Sequence, residues 1–356
     1  EQAFELAPQD DETFAMLEGF YKGARADRSL LSLLERRKEH GTATQKRYAT
    51  RNLAQVCLRL RKNDEAHSYL SLLLDEGDLH QIELDVADEV SVGLEEPSLR
   101  QRVLRMRAAM SGPSERAMLN VSLGASLLRT GQKEEAKATL REALSDALAA
   151  SSDSLAITAG EAILHIDDSD DETTRTLVSL YRRAEKIDRA VPLVVRMRDR
   201  AATPESMCDH EEELAFLYAE LGDFEHALTS AEHAFELCPM RRSTLDGFEK
   251  LAERSGTEIA FANAVARVEA ALPSAPPLDV MARFALAQAR ALSVSDGERT
   301  LDILRGLLMS LRAEGADVPA EATTLFESVR LTPDSFPGEF EAALAAGAEL
   351  GAQVAI

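Results

Sequence analysis

Three stretches of this chain repeat one pattern of large and small residues, and this repetition constrains the fold more than any other feature. Residues 33–66 align without a gap with residues 103–136, which in turn align without a gap with residues 194–227. In all three stretches a leucine is followed by a small residue in the same register, at Leu53-Ala54, Leu123-Gly124 and Leu214-Ala215. Such self-similarity is the signature of a repeat architecture, in which each repeat becomes stable by stacking on its neighbours.

Small residues at fixed positions predict that helices pack closely. Ala66, Ala136 and Ala227 recur in register, and the apolar residues around them follow helical spacing. A side chain larger than alanine at these positions would push two helix backbones apart, whereas larger residues one turn away fill the grooves. Very few runs alternate apolar and polar residues as a half-buried strand would. We therefore predict an all-α chain.

Residues 208–241 show the pattern most fully. Their matching positions are Leu214, Ala215, Tyr218, Phe224, Ala227, Ala234 and Pro239. This arrangement resembles the tetratricopeptide repeat, a 34-residue helix–turn–helix unit. The resemblance is also clear in residues 47–80 and 117–150. Within residues 208–241, the sequence departs from the family pattern at Glu211 and Ala231, where the family has bulky apolar residues. It implies a right-handed α-solenoid of stacked antiparallel helix hairpins, a tetratricopeptide-like superhelix.

The resemblance covers most of residues 1–272, which we expect to form the repeat array. Residues 273–356 are expected to form a divergent helical segment that caps it. The chain opens with EQAFELAP, which resembles the tail of a repeat with Ala3 and Pro8 in the family's positions. We therefore expect the protein to continue before Glu1.

Prolines predict several helix boundaries. Thr203-Pro204 is typical of an N-cap residue followed by proline in the first helical position. Pro192, in contrast, falls inside the second helix expected for residues 171–200. A proline in a helix interior removes a hydrogen bond and clashes with the preceding turn, so we expect that helix to begin one turn late.

Charge and cysteine content limit the classes of partner. The chain carries 62 acidic and 40 basic residues, which gives a net charge of −22 and an isoelectric point near 4.8. This charge repels phosphate backbones and anionic lipids, so neither nucleic acid nor a membrane is an expected partner. Cys57, Cys208 and Cys238 lack CxxC spacing. That pattern favours a reducing compartment, and we predict a cytoplasmic location.

No polar cluster fits a catalytic or metal site. HIDDSDDE (residues 165–172) lacks the glycine and glutamate of an EF-hand loop, and we interpret it as an inter-helix loop whose acids favour the next helix N-terminus. His226 and His233 share a helix face without a third ligand, and Cys208 and His210 would not face each other on a helix. Phosphate loops and nucleophile motifs are absent from the sequence. We predict no catalytic residue, no metal and no cofactor.

In tetratricopeptide arrays, the first helix of each hairpin lines a concave groove. The resemblance carries this role to three sets of partner-binding candidates: Tyr48, Arg51, Gln55 and Arg59; Val121, Leu128 and Arg129; and Glu212, Phe216 and Glu220. The groove would change from basic through apolar to acidic. Such a groove suits an extended or helical peptide with complementary ends.

We therefore predict a non-catalytic scaffold that binds a protein or peptide partner in a concave groove. One alternative is a regulatory or sensory module of a larger protein whose effector part lies outside this chain. A second alternative is a structural array that self-associates through exposed solenoid ends. A third is a hydrolase that uses the histidines, which would contain a metal detectable by elemental analysis. The step from a repeat fold to a role is analogy, because one fold supports many functions.

Overall fold

The computed structural model describes residues 9–330, and within that range all regular secondary structure is α-helical. The helices are α1 (Asp11–Gly23), α2 (Asp27–His40), α3 (Ala43–Arg59), α4 (Asn63–Glu76), α5 (Gln81–Gly93), α6 (Pro97–Met110), α7 (Pro113–Arg129), α8 (Lys133–Ala149), α9 (Asp153–Ile166), α10 (Asp171–Arg183), α11 (Ile187–Arg200), α12 (Pro204–Glu220), α13 (Phe224–Leu237), α14 (Arg242–Ser255), α15 (Glu258–Ala271), α16 (Leu278–Leu292), α17 (Gly297–Ala313) and α18 (Ala320–Arg330). The prediction of an all-α chain is confirmed for these residues. Ala3, Pro8 and the part of the expected cap after residue 330 lie outside the described residues.

The three stretches that align in sequence also align as helix pairs. Their first helices, α3, α7 and α12, each contain 17 residues, and each is followed by its partner, α4, α8 or α13. Ala66, Ala136 and Ala227 are 0% exposed. At Gly124 the paired helices are so close that an added Cβ atom would lie 2.6 Å from Leu140 Cγ. The prediction that small residues mark close helix contacts is confirmed.

The chain divides into two compact units, an N-terminal unit (Glu1–Leu180) and a C-terminal unit (Tyr181–Ile356). In the N-terminal unit, helices pack mainly against their neighbours in the chain around a leucine-rich core that includes Leu34, Leu53 and Leu70. In the C-terminal unit, α12 to α18 also pack consecutively. Stacked antiparallel hairpins are thus present in each unit, and the predicted tetratricopeptide-like fold class is confirmed within each. Within residues 9–330, no helix combines the length and the apolarity that a bilayer crossing requires.

Aromatic contacts fix α13 to α16 in the C-terminal unit. The rings of Phe235 and Phe284 meet edge to face with centroids 5.4 Å apart, and those of Phe248 and Phe261 do so at 5.0 Å. Edge-to-face geometry places the positive edge of one ring on the negative face of the other, which stabilises the pair beyond area burial alone. The first contact joins α13 to α16, and the second joins α14 to α15.

The tight turns inside the hairpins depend on one residue with a left-handed backbone. Gly131 and Gly222 adopt φ angles of 80° and 77°, and Arg61 adopts 59° at the equivalent turn between α3 and α4. In each turn the next residue donates its N–H to a carbonyl of the preceding helix, as Lys62 does to Cys57 at 2.9 Å. This hydrogen bond satisfies a carbonyl that the helix end would otherwise leave without a partner.

We expect Arg61→Gly to stabilise the protein by about 0.5–1 kcal/mol, because glycine adopts a left-handed backbone without steric cost and Arg61 is exposed. Gly222→Ala is expected to destabilise it by about 1 kcal/mol for the converse reason. Urea unfolding of the two variants beside the native protein measures both effects. Equal shifts in the same direction would contradict this account of the turns.

The expectation for Pro192 is wrong, because α11 begins at Ile187 and includes the proline in its interior. Proline cannot donate the hydrogen bond that a residue here would make to Asp188, four residues earlier. Asp188 lies in the first turn of α11, so the cost falls at the beginning of the helix. Burial of Leu193, Val194 and Met197 later in the helix keeps α11 in place.

Candidate functional site

One groove in the C-terminal unit lies between α12 and α14 and has a volume of about 370 Å³. Its walls are mainly apolar and include Phe216 of α12 and Phe248 and Leu251 of α14. Helix α13 follows α12 and precedes α14 in the sequence, and it packs against both. It contributes the small side chains of Ala231 and Ala234 to the groove. A concave apolar surface of this size is typical of ligand-binding sites.

Phe216 is the largest apolar side chain that this groove leaves accessible, with 49% of its surface exposed. The Arg182 guanidinium lies over its ring, with the central carbon 4.6 Å from the centroid. The Arg182 Nε atom also lies 3.9 Å from a carboxylate oxygen of Glu220. Arg182 therefore steadies the ring while one face of it remains free to bury surface against a ligand.

Gly247 creates part of the space in the groove. A Cβ atom added at this position would meet no other atom within 4 Å, so no neighbouring group requires a glycine. Gly247 lies in the interior of α14, where glycine destabilises a helix by about 0.5–1 kcal/mol relative to alanine. Its main structural effect is to leave the groove open.

The polar rim differs between the two walls. On α12, Glu212 forms an ion pair with Arg241 at 2.9 Å, and Arg241 also donates to Asp209 at 2.5 Å. Hydrogen bonds to Asp209 and then Glu212 raise the pKa of Arg241 further above its ordinary value. On α14, Lys250 and Arg254 are exposed and follow each other at i, i+4, the spacing of neighbours on one helix face.

The structure brings the third predicted set together. Glu212, Phe216 and Glu220 all line the α12 wall of the groove. The register of the repeat therefore places three side chains on one accessible surface, and their role in partner binding stays a prediction.

Sequence reasoning missed the opposite wall. Lys250 and Arg254 follow Phe216 and Glu220 by one 34-residue repeat length, so the same register extended by one repeat would have found them. The weak small-residue pattern after residue 241 hides this repeat. No sequence pattern marks Gly247, because its effect on the groove depends on the empty space beside it in the folded protein.

The first predicted set lies on α3 in the N-terminal unit. The Tyr48 hydroxyl donates to the Glu18 carboxylate at 2.9 Å, and burial followed by this contact raises the pKa of Tyr48 to about 12. The Arg51 guanidinium lies over the Tyr48 ring, 4.9 Å from its centroid. Burial and the Glu18 carboxylate thus keep the phenol neutral, whereas the charge of Arg51 lowers the pKa of Tyr48 and partly opposes them.

The other two members of this set also have acidic neighbours. Gln55 donates to Glu89 at 2.6 Å, and Arg59 forms an ion pair with Asp27 at 2.9 Å. Neighbouring helices therefore supply carboxylates beside residues that the sequence presents as basic or neutral.

The second predicted set lies on α7. Val121 and Leu128 are half-buried, and Leu128 packs against the cluster that contains Leu127 and Ala136. Arg129 is exposed. Of the three, Arg129 offers the most accessible side chain to a partner.

Two acids of the segment at residues 165–172, both in the loop between α9 and α10, pair with cations of α8. Lys137 forms an ion pair with Asp167, and Arg141 donates to Asp170 at 2.6 Å. The Lys137 ammonium, followed by Ser169, lowers the pKa of Asp167 below its ordinary value. Asp170 also accepts the Thr173 N–H at 3.1 Å in the first turn of α10, so the interpretation of these acids as helix-terminal groups is confirmed at Asp170.

The two buried cysteines are poorly suited to nucleophilic chemistry. Burial is the main cause that raises the pKa of Cys57 and of Cys208 to about 12, so both are thiols at neutral pH. The Cys208 thiol donates to the Ala234 carbonyl at 3.4 Å, and the Cys238 N–H donates to the same oxygen at 3.0 Å. Both groups help to close the open end of the α12–α13 hairpin.

Comparison with known proteins identifies one repeat directly. Residues 119–145, which span most of α7 and α8, match the family model of the tetratricopeptide repeat. No curated protein matches the chain significantly.

Among solved structures, the tetratricopeptide domain of P58(IPK) is 13% identical, with a TM-score of 0.28 and coverage of 87% of this chain and 99% of that one. A tetratricopeptide repeat protein from Parabacteroides merdae is 15% identical, with a TM-score of 0.27 and coverage of 70% and 98%. The C-terminal part of a repeat protein from Cytophaga hutchinsonii is 13% identical, with a TM-score of 0.29 and coverage of 80% and 96%. At such identities and TM-scores, the similarity does not extend to function.

Residues 119–145 thus match one tetratricopeptide repeat, and the helix hairpins of each unit have the arrangement of tetratricopeptide-like helical repeat proteins, as the resemblance predicted. Proteins of this class act in general as scaffolds for protein interaction.

Proposed function

We propose that this protein is a non-catalytic interaction scaffold that holds an extended or helical peptide segment of a partner protein in the groove between α12 and α14. The observation that carries the proposal is the half-exposed Phe216 beside an open apolar cavity. An apolar side chain of a partner would bury this ring and displace water from the cavity. Aromatic residues in such positions are typical of the few contacts that dominate binding energy.

Partner contacts on the N-terminal unit are a separate part of the proposal. Tyr48, Arg51 and Arg129 have side chains that reach solvent on first helices of their hairpins. The hydrogen-bonded Tyr48 would offer its ring rather than a charge, because its hydroxyl is engaged by Glu18.

We expect Gly247→Leu to weaken peptide binding by about tenfold or more, because its Cβ would lie in open space and the rest of the side chain would extend into the cavity. The probe is a phage-displayed library of short random peptides selected on the native protein, followed by titration of synthetic peptides from the selected sequences. Circular dichroism and thermal unfolding of the variant show whether its helices remain intact.

Gly306→Leu is the matched control, since Gly306 lies in α17 of the same unit and also has no atom within 4 Å of an added Cβ. It is expected to keep native affinity. Equal binding by Gly247→Leu and the native protein would exclude this groove, and a selection that enriches no peptide would contradict the peptide-binding function itself.

A further inference from the structure

We propose that the segment held in this groove is acidic as well as apolar, with an aspartate or glutamate within about one turn of its apolar anchor residue. This inference rests on the proposed function, because it names the chemistry of the partner for the same groove. It depends on which charges around the groove already have partners.

Both carboxylates of the groove have a cation within the protein. Glu212 pairs with Arg241 at 2.9 Å, and Glu220 lies 3.9 Å from Arg182. A basic ligand would therefore have to compete with these arginines for the same oxygens. Arg241 is shared between Glu212 and Asp209, so the α12 wall keeps some negative charge, but each carboxylate that lines the groove already has a cation within 4 Å.

The cations of the opposite wall have no such partner. Within the described part of the chain, neither Lys250 nor Arg254 forms an ion pair with a carboxylate. Both line the groove from the same face of α14. The uncompensated charge inside the groove is therefore positive, and it is complementary to a carboxylate of the ligand.

Arg254 is already positioned for this contact. Its guanidinium lies over the ring of Phe224, with the central carbon 5.2 Å from the centroid. A guanidinium carries five N–H donors, so contact with a ring leaves donors for a carboxylate, which can accept two hydrogen bonds from one guanidinium. Stacking also reduces the side-chain entropy that binding would cost.

The shape of the groove sets the position of the anchor. Phe216, Phe248 and Leu251 form apolar walls, and Ala231 and Gly247 leave the space between them open. A leucine or an aromatic side chain fits this space and would exclude water from the neighbouring cations. With less water around them, those cations interact more strongly with a carboxylate.

The net charge of −22 does not by itself oppose an acidic partner at the groove. At physiological ionic strength the Debye length is about 8 Å, so exposed acids farther away are largely screened. The charged groups that line the groove lie within this distance of a bound ligand, so salt screens them less. The local cations therefore have a larger effect on affinity than the distant acids.

The test uses the same displayed library on the chain of residues 1–356. Native protein is expected to enrich peptides that combine a leucine or an aromatic residue with a nearby aspartate or glutamate. Lys250→Glu and Arg254→Glu are each expected to weaken binding of a synthetic acidic peptide by about tenfold or more. Affinity should also fall as sodium chloride is added, because salt screens the ion pairs.

Arg242→Glu is the matched control, since Arg242 is exposed on the same helix and pairs with Asp246 rather than lining the groove. It is expected to change affinity by less than about twofold. Selected peptides that are basic, or that show no charge preference, would overturn this inference while leaving groove binding intact. If Gly247→Leu fails to block the selected peptides, the proposed groove itself is excluded, and the inference is lost with it.

Discussion

Replacing Gly124 with leucine is expected to lower the free energy of unfolding by about 3 kcal/mol, the upper part of the range for overpacked cores. An added Cβ atom would lie 2.6 Å from Leu140 Cγ and 2.7 Å from its Cδ2. Leu140 is 0% exposed and cannot rotate into solvent without leaving a cavity. Helices α7 and α8 would therefore have to separate. Urea unfolding followed by circular dichroism measures the change.

Two comparisons separate steric overlap from helix propensity. Gly306→Leu introduces the same residue into a helix with open space around it, so it is expected to stabilise the protein by up to about 1 kcal/mol. The double variant Gly124→Leu/Leu140→Ala is expected to lose less stability than the two single variants combined, because the smaller residue makes room for the larger one. If Gly124→Leu unfolds at the native midpoint, close packing does not hold this hairpin together.

Replacing Arg290 with methionine is expected to lower the free energy of unfolding by about 2–3 kcal/mol. Arg290 donates to both oxygens of Glu249, at 2.6 and 2.8 Å, and also pairs with Glu321. Methionine keeps the apolar stem but leaves the carboxylate of Glu249, which is only 9% exposed, without its cation. Removing one partner of a buried pair costs about 3–5 kcal/mol, and the partial exposure of Arg290 reduces that figure.

The control for this pair is Arg242→Met. Arg242 lies in the same helix as Glu249 and pairs with Asp246 at 3.1 Å on the surface, so the expected loss is below about 0.5 kcal/mol. In the double variant Glu249→Gln/Arg290→Met, the second substitution should cost less than Arg290→Met alone, because no buried charge is left. Equal losses for Arg290→Met and Arg242→Met would show that the link from α14 to α16 and α18 contributes no more than a surface pair.

Part of the candidate site could be predicted because the repeat register is periodic. Large and small residues recur at fixed spacing, so Phe216 and Glu220 could be assigned to an accessible face before any coordinates. Lys250 and Arg254 occupy the same register one repeat later. They were missed because substitutions at the small positions weaken the pattern there.

The charge of the site could not be predicted, because ion pairs join residues that are distant in sequence. Asp27 of α2 pairs with Arg59 of α3, and at the groove Arg241, which directly precedes α14, pairs with Glu212 of α12. The charges counted along one helix therefore do not give the net electrostatic field at the binding surface.

The sequence by itself determined the helices, their pairing into hairpins and the positions of closest approach, because helical periodicity and small side chains act over short distances along the chain. The tertiary structure alone decided which groove is open and which charges are uncompensated. Arg241 forms an ion pair with Glu212, whereas Lys250 on the facing wall has no carboxylate partner among residues 9–330. Both outcomes depend on the packing of helices from successive hairpins, which places side chains about thirty residues apart in contact.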